Sequence, residues 1–124
     1  MPKNYRIEKV SSLLKKEITI ILQNDLQNDL IVNNFISVSK IELSGDLQFC
    51  KIYINSSAEE EVKKLIVEIL NTSKSLIRHN LGQRIEMRRV PDLVFKNDIV
   101  LDKELSVLKL LEEISNKNQG LNNE

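Results

Sequence analysis

The stretch from Ser39 to Ile54 reads SKIELSGDLQFCKIYI, and it decides the fold. Two runs of alternating apolar and polar residues flank the turn-forming cluster at residues 44–46. This pattern predicts a β-hairpin, or two strands joined by a short bend, from about Ile36 to Asn55. In the second run, alternate residues form an apolar inner face and an aromatic–Lys–aromatic outer face. The inner face holds Cys50, Ile52 and Ile54, and the outer face holds Phe49, Lys51 and Tyr53.

A second informative stretch, Arg84 to Asp98, reads RIEMRRVPDLVFKND. Its alternation predicts a strand from Arg84 to Lys96, with apolar residues on one side and cations on the other. Pro91 cannot donate a ladder hydrogen bond, so it indicates an edge strand, a bulge or a bend. A cationic strand face suits a polyphosphate, although an ordinary half-exposed strand with solvated arginines would look the same.

The remaining segments predict helices. The first runs from Tyr5 to about Asn24, with Lys9 and Lys16 opposite its apolar stripe, and a loop follows to Asn34. A second helix starts near Ser56-Ser57, ahead of three glutamates that suit a helix N-terminus. Its apolar stripe comprises Val62, Leu65, Ile66, Ile69 and Leu70.

The polar residues 71–75 predict a kink or break in this helix, because short polar side chains compete for backbone hydrogen bonds. The apolar stripe resumes at Leu76, Ile77 and Leu81, and Gly82 is placed as a helix C-cap. A last helix is predicted from about Lys103 to Asn116. The element order is therefore α-β-β-α-kink-α-β-α, an α+β fold with helices packed on one face of a three-stranded sheet. We expect one domain over residues 1–116 and a disordered polar tail over 117–124.

Composition excludes several classes of protein. There is no run of 18 apolar residues, so we expect no membrane span, and no secretory signal is visible. A single cysteine excludes an internal disulfide and fits a cytoplasmic protein. The sequence offers few candidate catalytic residues. The one histidine, His79, and the one cysteine, Cys50, belong to no nucleophile motif. We expect a monomer that is not an enzyme. We also expect no cofactor or metal, because the sequence lacks the residue spacings of phosphate-binding loops and metal sites.

The formal net charge of zero conceals segregated charge. Residues 1–16 carry +4, residues 17–73 carry −5, residues 74–96 carry +4 and residues 97–124 carry −3. Two separated basic segments favour a surface for a polyanion, with the acids placed elsewhere. Solvated helix faces are the alternative interpretation of such blocks.

Several short motifs occur in a fixed order: Ser44, Asp46 and Leu47; Lys51-Ile52-Tyr53-Ile54; Ile77-Arg78; Arg88; Val90-Pro91-Asp92-Leu93; Phe95; and Asp98. In order and spacing, from about Tyr5 to Ile114, the chain resembles the ribosome-binding factor A family. The resemblance implies a type II KH-like domain with an added C-terminal helix. It also implies a function as an assembly factor, which binds the immature small ribosomal subunit and its ribosomal RNA and assists late maturation without catalysis.

The candidate RNA contacts are the cations of the two basic segments: Arg78, Arg88, Lys74, Arg84, Arg89, Lys9 and Lys16. Arg78 and Arg88 fit the family pattern best. At the kink, where the resembled family usually has A-x-G and KH domains have G-x-x-G, this chain has Thr72-Ser73-Lys74. The alternative function is a protein-interaction module on the same scaffold, with a ribosomal protein or an assembly GTPase as its partner.

Overall fold

The computed structural model describes residues 3–99, together with residues 108, 110–112 and 114. The elements are α1 (Lys3–Asn24), α2 (Asp29–Asn33), β1 (Ser37–Leu43), β2 (Phe49–Asn55), α3 (Glu60–Thr72), α4 (Lys74–Arg84) and β3 (Asp92–Asn97). The strands form one sheet in the order β1-β2-β3. Strand β1 is antiparallel to β2, and β3 is parallel to β2. The predicted hairpin and α+β architecture are therefore confirmed.

One face of the sheet carries the core. Helices α1, α3 and α4 pack against it, and the inner residues of β2 and β3 are buried beneath them. Leu14, Ile18 and Ile21 of α1 are fully buried, as their helical spacing predicts. Each such side chain contributes about 1.5–3 kcal/mol relative to leaving it in water. The predicted inner face of β2 is likewise confirmed, since Cys50, Ile52 and Ile54 are all buried.

The other face of the sheet is polar and aromatic. The Lys40 ammonium lies 4.6 Å from the centroid of the Tyr53 ring, and the Tyr53 hydroxyl donates to Glu42 at 3.2 Å. Phe49 is 57% exposed. The aromatic–Lys–aromatic row thus faces outward, as the alternation predicts.

The predicted kink lies at Ser73, between α3 and α4. The Ser73 N–H donates to the Ile69 carbonyl at 2.9 Å, and the Ile77 N–H donates to the Ser73 carbonyl at 3.1 Å. Both bonds have the i→i−4 spacing of a helix, so the N–H and the carbonyl of Ser73 are paired although Ser73 itself separates the two helices.

Asn71, in the last turn of α3, joins that helix to the outer edge of β3. Its side-chain Oδ1 accepts from the Phe95 N–H at 2.8 Å, and its Nδ2 donates to the Phe95 carbonyl at 3.1 Å. The carboxamide thus makes the two hydrogen bonds to the Phe95 backbone that a neighbouring strand would otherwise make. The sequence marks this position only as part of a polar break.

Several local predictions are wrong. The strand predicted from Arg84 begins only at Asp92, because α4 continues through Arg84 and residues 85–91 form an irregular connector. Gly82 lies inside α4 and is not its C-cap. Its lack of a side chain instead lets the connector approach, since an added Cβ would lie 3.3 Å from the Val90 Cγ2. The loop predicted after α1 contains the short helix α2, capped by the Asn28 side chain.

Two further errors concern α3 and α4. Ser57 does not cap α3, because its hydroxyl and its N–H both donate to the Asn34 carbonyl, and Glu59 is the N-cap residue. Leu65 and Leu76 are about half exposed rather than part of the buried stripe. Of the last predicted helix, the described residues are helical and their apolar side chains are exposed. The remainder of that prediction, and the predicted tail at 117–124, lie outside the described residues.

Candidate nucleic-acid interface

Helix α1 presents a row of cations to solvent. Lys9 and Lys16 are exposed, as predicted from their position opposite the apolar stripe. Arg6, which the sequence analysis did not select, lies one turn before Lys9 on the same side of the helix and is also exposed. Within the described part of the chain, none of the three side chains has a hydrogen-bond or ion-pair partner. Their charges are therefore available to an anionic partner.

Arg78 makes internal contacts that the sequence does not predict. Its Nε donates to the Pro91 carbonyl at 3.1 Å and one terminal nitrogen donates to the Val90 carbonyl at 3.0 Å. The same nitrogen lies 3.4 Å from the Asp92 carboxylate. The guanidinium thus fastens the end of the connector to α4. The guanidinium therefore does not face solvent freely, and its RNA contact stays a prediction.

Two more of the predicted cations have acidic partners. The Arg84 Nε lies 2.6 Å from a carboxylate oxygen of Glu17, and this pair joins the end of α4 to the middle of α1. Arg89 lies 3.9 Å from Asp92 and keeps 61% of its side chain exposed. At that distance and exposure the second pair is weak, so Arg89 remains accessible.

Arg88 and Lys74 are exposed, and neither has a partner among residues 3–99 or the described part of the last helix. They do not lie together. Lys74 begins α4, whereas Arg88 follows its end, and the 11 residues of α4 span about 16 Å. The structure therefore brings Arg88 toward Arg6 and the first turns of α1, and places Lys74 at the other end of α4, beside the kink.

An open cleft of about 380 Å³ lies where the start of α1, the β1–β2 turn and the connector meet. Its lining includes the cations Arg6, Arg88 and Arg89 and the carboxylates Asp46 and Glu86. The apolar part of the lining comprises Val10, Leu47 and Met87. The row of cations on α1 thus leads into a concave site. The site is formed by three separate segments, so the alternation of a strand or the periodicity of a helix in the sequence does not reveal it.

The β1–β2 turn beside this cleft is held by its own side chains. The Ser44 hydroxyl donates to Asp46 Oδ1 at 2.7 Å and accepts from the Phe49 N–H at 3.0 Å. Asp46 Oδ1 also accepts from the Gln48 N–H at 3.1 Å. These bonds keep Leu47 at φ 62°, a left-handed conformation that costs about 1–2 kcal/mol for a residue with a side chain.

Hydrogen bonds also tune the acidity of the turn. The Ser44 hydroxyl, and then the Gln48 N–H, lower the pKa of Asp46 below its ordinary value, with a smaller contribution from the charge of Arg89. Asp46 is therefore ionised at neutral pH and is an acceptor only. By contrast, burial raises the pKa of the Cys50 thiol to about 12, so this cysteine stays protonated as a core residue.

Catalytic and metal-binding groups are not assembled in the described residues. His79 is exposed on α4 and lies 3.2 Å from the side-chain nitrogen of Gln83, four residues along the same helix. No group of three His, Cys, Asp or Glu side chains within the described ranges could hold a metal ion. None of the helices in that part of the chain combines the length and the apolar character needed to cross a bilayer.

Comparison with known proteins identifies relatives over nearly the whole chain. The sequence model described as "Ribosome-binding factor A" matches residues 6–111. A protein of that name from Prochlorococcus marinus (strain MIT 9301) is 72% identical over 122 residues, which covers 98% of this chain and 94% of the relative.

Solved structures agree with the fold. The crystal structure of ribosome-binding factor A from Thermus thermophilus superposes with a TM-score of 0.65 at 22% identity, covering 73% of this chain and 93% of that one. A homology model of the Thermus thermophilus protein has been fitted into a cryo-EM map of a complex between the 30S subunit and ribosome-binding factor A. It superposes with a TM-score of 0.59 at 24% identity, covering 71% of this chain and 90% of that one.

Proposed function

Because the chain belongs to the ribosome-binding factor A family, we propose that it binds the immature small ribosomal subunit and assists its late maturation. In this proposal it acts in the cytoplasm, where its substrate particle is assembled. It binds ribosomal RNA and favours one local conformation of it, without catalysing a reaction. The partner class is supported by the name of its relatives and by the 30S complex described for the Thermus thermophilus protein.

The observation that carries an RNA contact is the set of exposed cations without acidic partners on a protein of zero net charge. With 18 acids available in the sequence, these side chains remain unpaired among the described residues. On α1, α4 and the connector they are Arg6, Lys9, Lys16, Lys74 and Arg88. Because exposed cations bind phosphate by releasing condensed counterions, such a surface suits a folded RNA read through its backbone.

Not all of the cations predicted from sequence contribute equally to this surface. Lys9, Lys16, Lys74 and Arg88 can meet phosphates without breaking an internal contact, and Arg89 can do so at the loss of one weak pair. Arg84 and Arg78 would have to leave Glu17 and the connector carbonyls, so we assign them a supporting role. Arg88 becomes the leading candidate for a direct contact.

The experiment is cosedimentation of the protein with precursor and with mature small subunits. We expect the wild type to prefer precursor particles and the triple variant Lys9→Gln, Lys16→Gln, Arg88→Gln to lose at least about tenfold in affinity. This corresponds to about 1.4 kcal/mol and a few lost charge-assisted contacts. The matched control is Lys64→Gln, which removes an exposed cation from α3, where the local sequence is acidic.

A triple variant that cosediments as well as the wild type would contradict the RNA-binding surface. If its binding also resisted high salt, the protein-interaction module would be the better account, since apolar and neutral contacts are screened little by salt. Circular dichroism melts of each variant establish that the altered residues, all exposed, leave the fold intact.

A further inference from the structure

The cleft beside the β1–β2 turn contains more than a phosphate site requires. Arg6, Arg88 and Arg89 supply positive charge, but Asp46 and Glu86 line the same space. A bare phosphate placed among these five groups would meet two carboxylates, which repel it. The lining therefore suits a ligand that is anionic at one end and rich in hydrogen-bond donors at the other.

The carboxylates of Asp46 and Glu86 can accept further hydrogen bonds. Asp46 uses Oδ1 for the Ser44 hydroxyl and the Gln48 N–H, and its Oδ2 accepts no hydrogen bond from the described residues. Glu86 is exposed and has no hydrogen-bond or ion-pair partner in that part of the chain. An ionised carboxylate accepts and never donates, so both groups select N–H donors.

The apolar part of the lining provides a surface for a flat ring. Val10 and Met87 are partly buried and pack against the core, and Leu47 is partly buried beside them. The turn holds Leu47 in its strained left-handed conformation, which places an apolar side chain in this lining. Strained backbone conformations that are held by surrounding contacts are frequent at ligand-binding sites. A volume of about 380 Å³ is within the range of small-ligand pockets and suits a single nucleotide.

We propose that this cleft holds one unstacked guanine nucleotide of the bound RNA, a subsite that rests on the proposed function. Guanine offers two adjacent donors, N1–H and the N2 amino group, on its Watson–Crick edge. These match the free oxygens of Asp46 and Glu86, whereas uracil offers one N–H between two carbonyl groups. The base lies against Met87 and Leu47, and Arg6 and Arg88 bind the flanking phosphates through their planar forks.

The test uses the full chain and two single-stranded RNA pentamers, UUGUU and UUUUU, followed by ¹H–¹⁵N NMR titration. We expect UUGUU to bind at least about tenfold more tightly, in keeping with the discrimination of one base by a paired contact. Its amide shifts should be concentrated at Leu47, Gln48 and Arg88. Glu86→Gln should abolish the preference for UUGUU over UUUUU. The control Glu60→Gln, an exposed change on α3, should keep it.

Equal affinity for the two pentamers would overturn the proposal, as would shifts located away from the cleft or a full preference retained by Glu86→Gln. These outcomes are separable from failure of the proposed function. A protein that cosediments with precursor subunits but does not distinguish the pentamers keeps the function and loses the guanine subsite. A protein that does not bind precursor subunits loses the function on which the subsite rests.

Discussion

The guanidinium of Arg78 satisfies acceptors on three consecutive residues ahead of and at the start of β3: the carbonyls of Val90 and Pro91 and the carboxylate of Asp92. Pro91 is almost completely buried, so its carbonyl has few alternative partners. A single side chain thus fixes the irregular segment between α4 and β3. The flat, forked shape of arginine is what allows several contacts at once.

We expect Arg78→Ala to lower the free energy of unfolding by about 2 kcal/mol, because hydrogen bonds to a charged group contribute about 1.5–3 kcal/mol and this one is partly exposed. Arg78→Lys should restore the charge but only part of the stability. Urea denaturation measures both. Arg88→Ala is the control and should change stability by less than about 0.5 kcal/mol. A loss equally small for Arg78→Ala would show that the observed contacts do not stabilise the connector.

Asp46 has a consequence for acid stability. Its pKa is lowered by the Ser44 hydroxyl and the Gln48 N–H, so the ionised carboxylate stabilises the folded state at pH values above the ordinary 3.8. That contribution should be lost as pH falls below 3.8 and through the folded-state pKa. A ¹³C titration of the side-chain carboxyl should therefore give a pKa under 3.8, and Ser44→Ala should raise it. An unchanged pKa in Ser44→Ala would refute the hydrogen bond as the cause.

At the level of the element, the contact between α3 and β3 depends on the carboxamide of Asn71. We expect Asn71→Ala to lower the free energy of unfolding by about 2 kcal/mol, since the N–H and the carbonyl of Phe95 both lose a partner. Asn71→Asp should cost more at neutral pH, because a carboxylate would face that carbonyl. Thermal melts measure both variants. Thr72→Ala, an adjacent exposed position, is the control, and an equal effect there would exclude a specific role for Asn71.

The spacing of apolar residues in the sequence predicts a helix or a strand only where the backbone is regular. Strand β2 alternates throughout, and its inner face follows from the sequence, whereas the alternation of β1 shifts at the irregularity between Val38 and Lys40. From Arg84 to Asp92 the same alternation was misleading, because Ile85 and Met87 face the core from an irregular connector. Helix α2 has only five residues, too few for a helical period to appear. A contact such as that between Asn71 and Phe95 joins distant residues and has no local signature.

For the molecule as a whole, segregated charge determines how binding responds to salt. The sequence offers seven candidate cations, but internal partners occupy Arg78 and Arg84. Arg89 keeps a weak pair with Asp92, and with Arg6 added, five cations of the proposed surface remain unpaired among the described residues. The sequence could identify the cations but not their partners, since Glu17 and Arg84 are 67 residues apart.

We expect the affinity for precursor subunits to fall with salt at a log–log slope of about −4, from roughly 0.7–0.9 per neutralised phosphate and five contacts. Binding measured between about 50 and 300 mM salt gives this slope, values that bracket the physiological range. The triple variant of Lys9, Lys16 and Arg88 should reduce it by about 2. A slope near zero in the wild type would exclude phosphate contact as the source of affinity.

The carboxamide of Asn71 also affects how the protein behaves when crowded among copies of itself. An outer strand with unpaired N–H and carbonyl groups is a template on which another chain can add a strand. At β3 this template is interrupted at Phe95. At the opposite edge, β1 is interrupted by the irregularity between Val38 and Lys40, where the Ser39 hydroxyl lies 2.6 Å from a carboxylate oxygen of Asp98 and 3.1 Å from the Tyr53 carbonyl. Both borders of a three-stranded sheet therefore resist fibril-like growth without the help of a further domain.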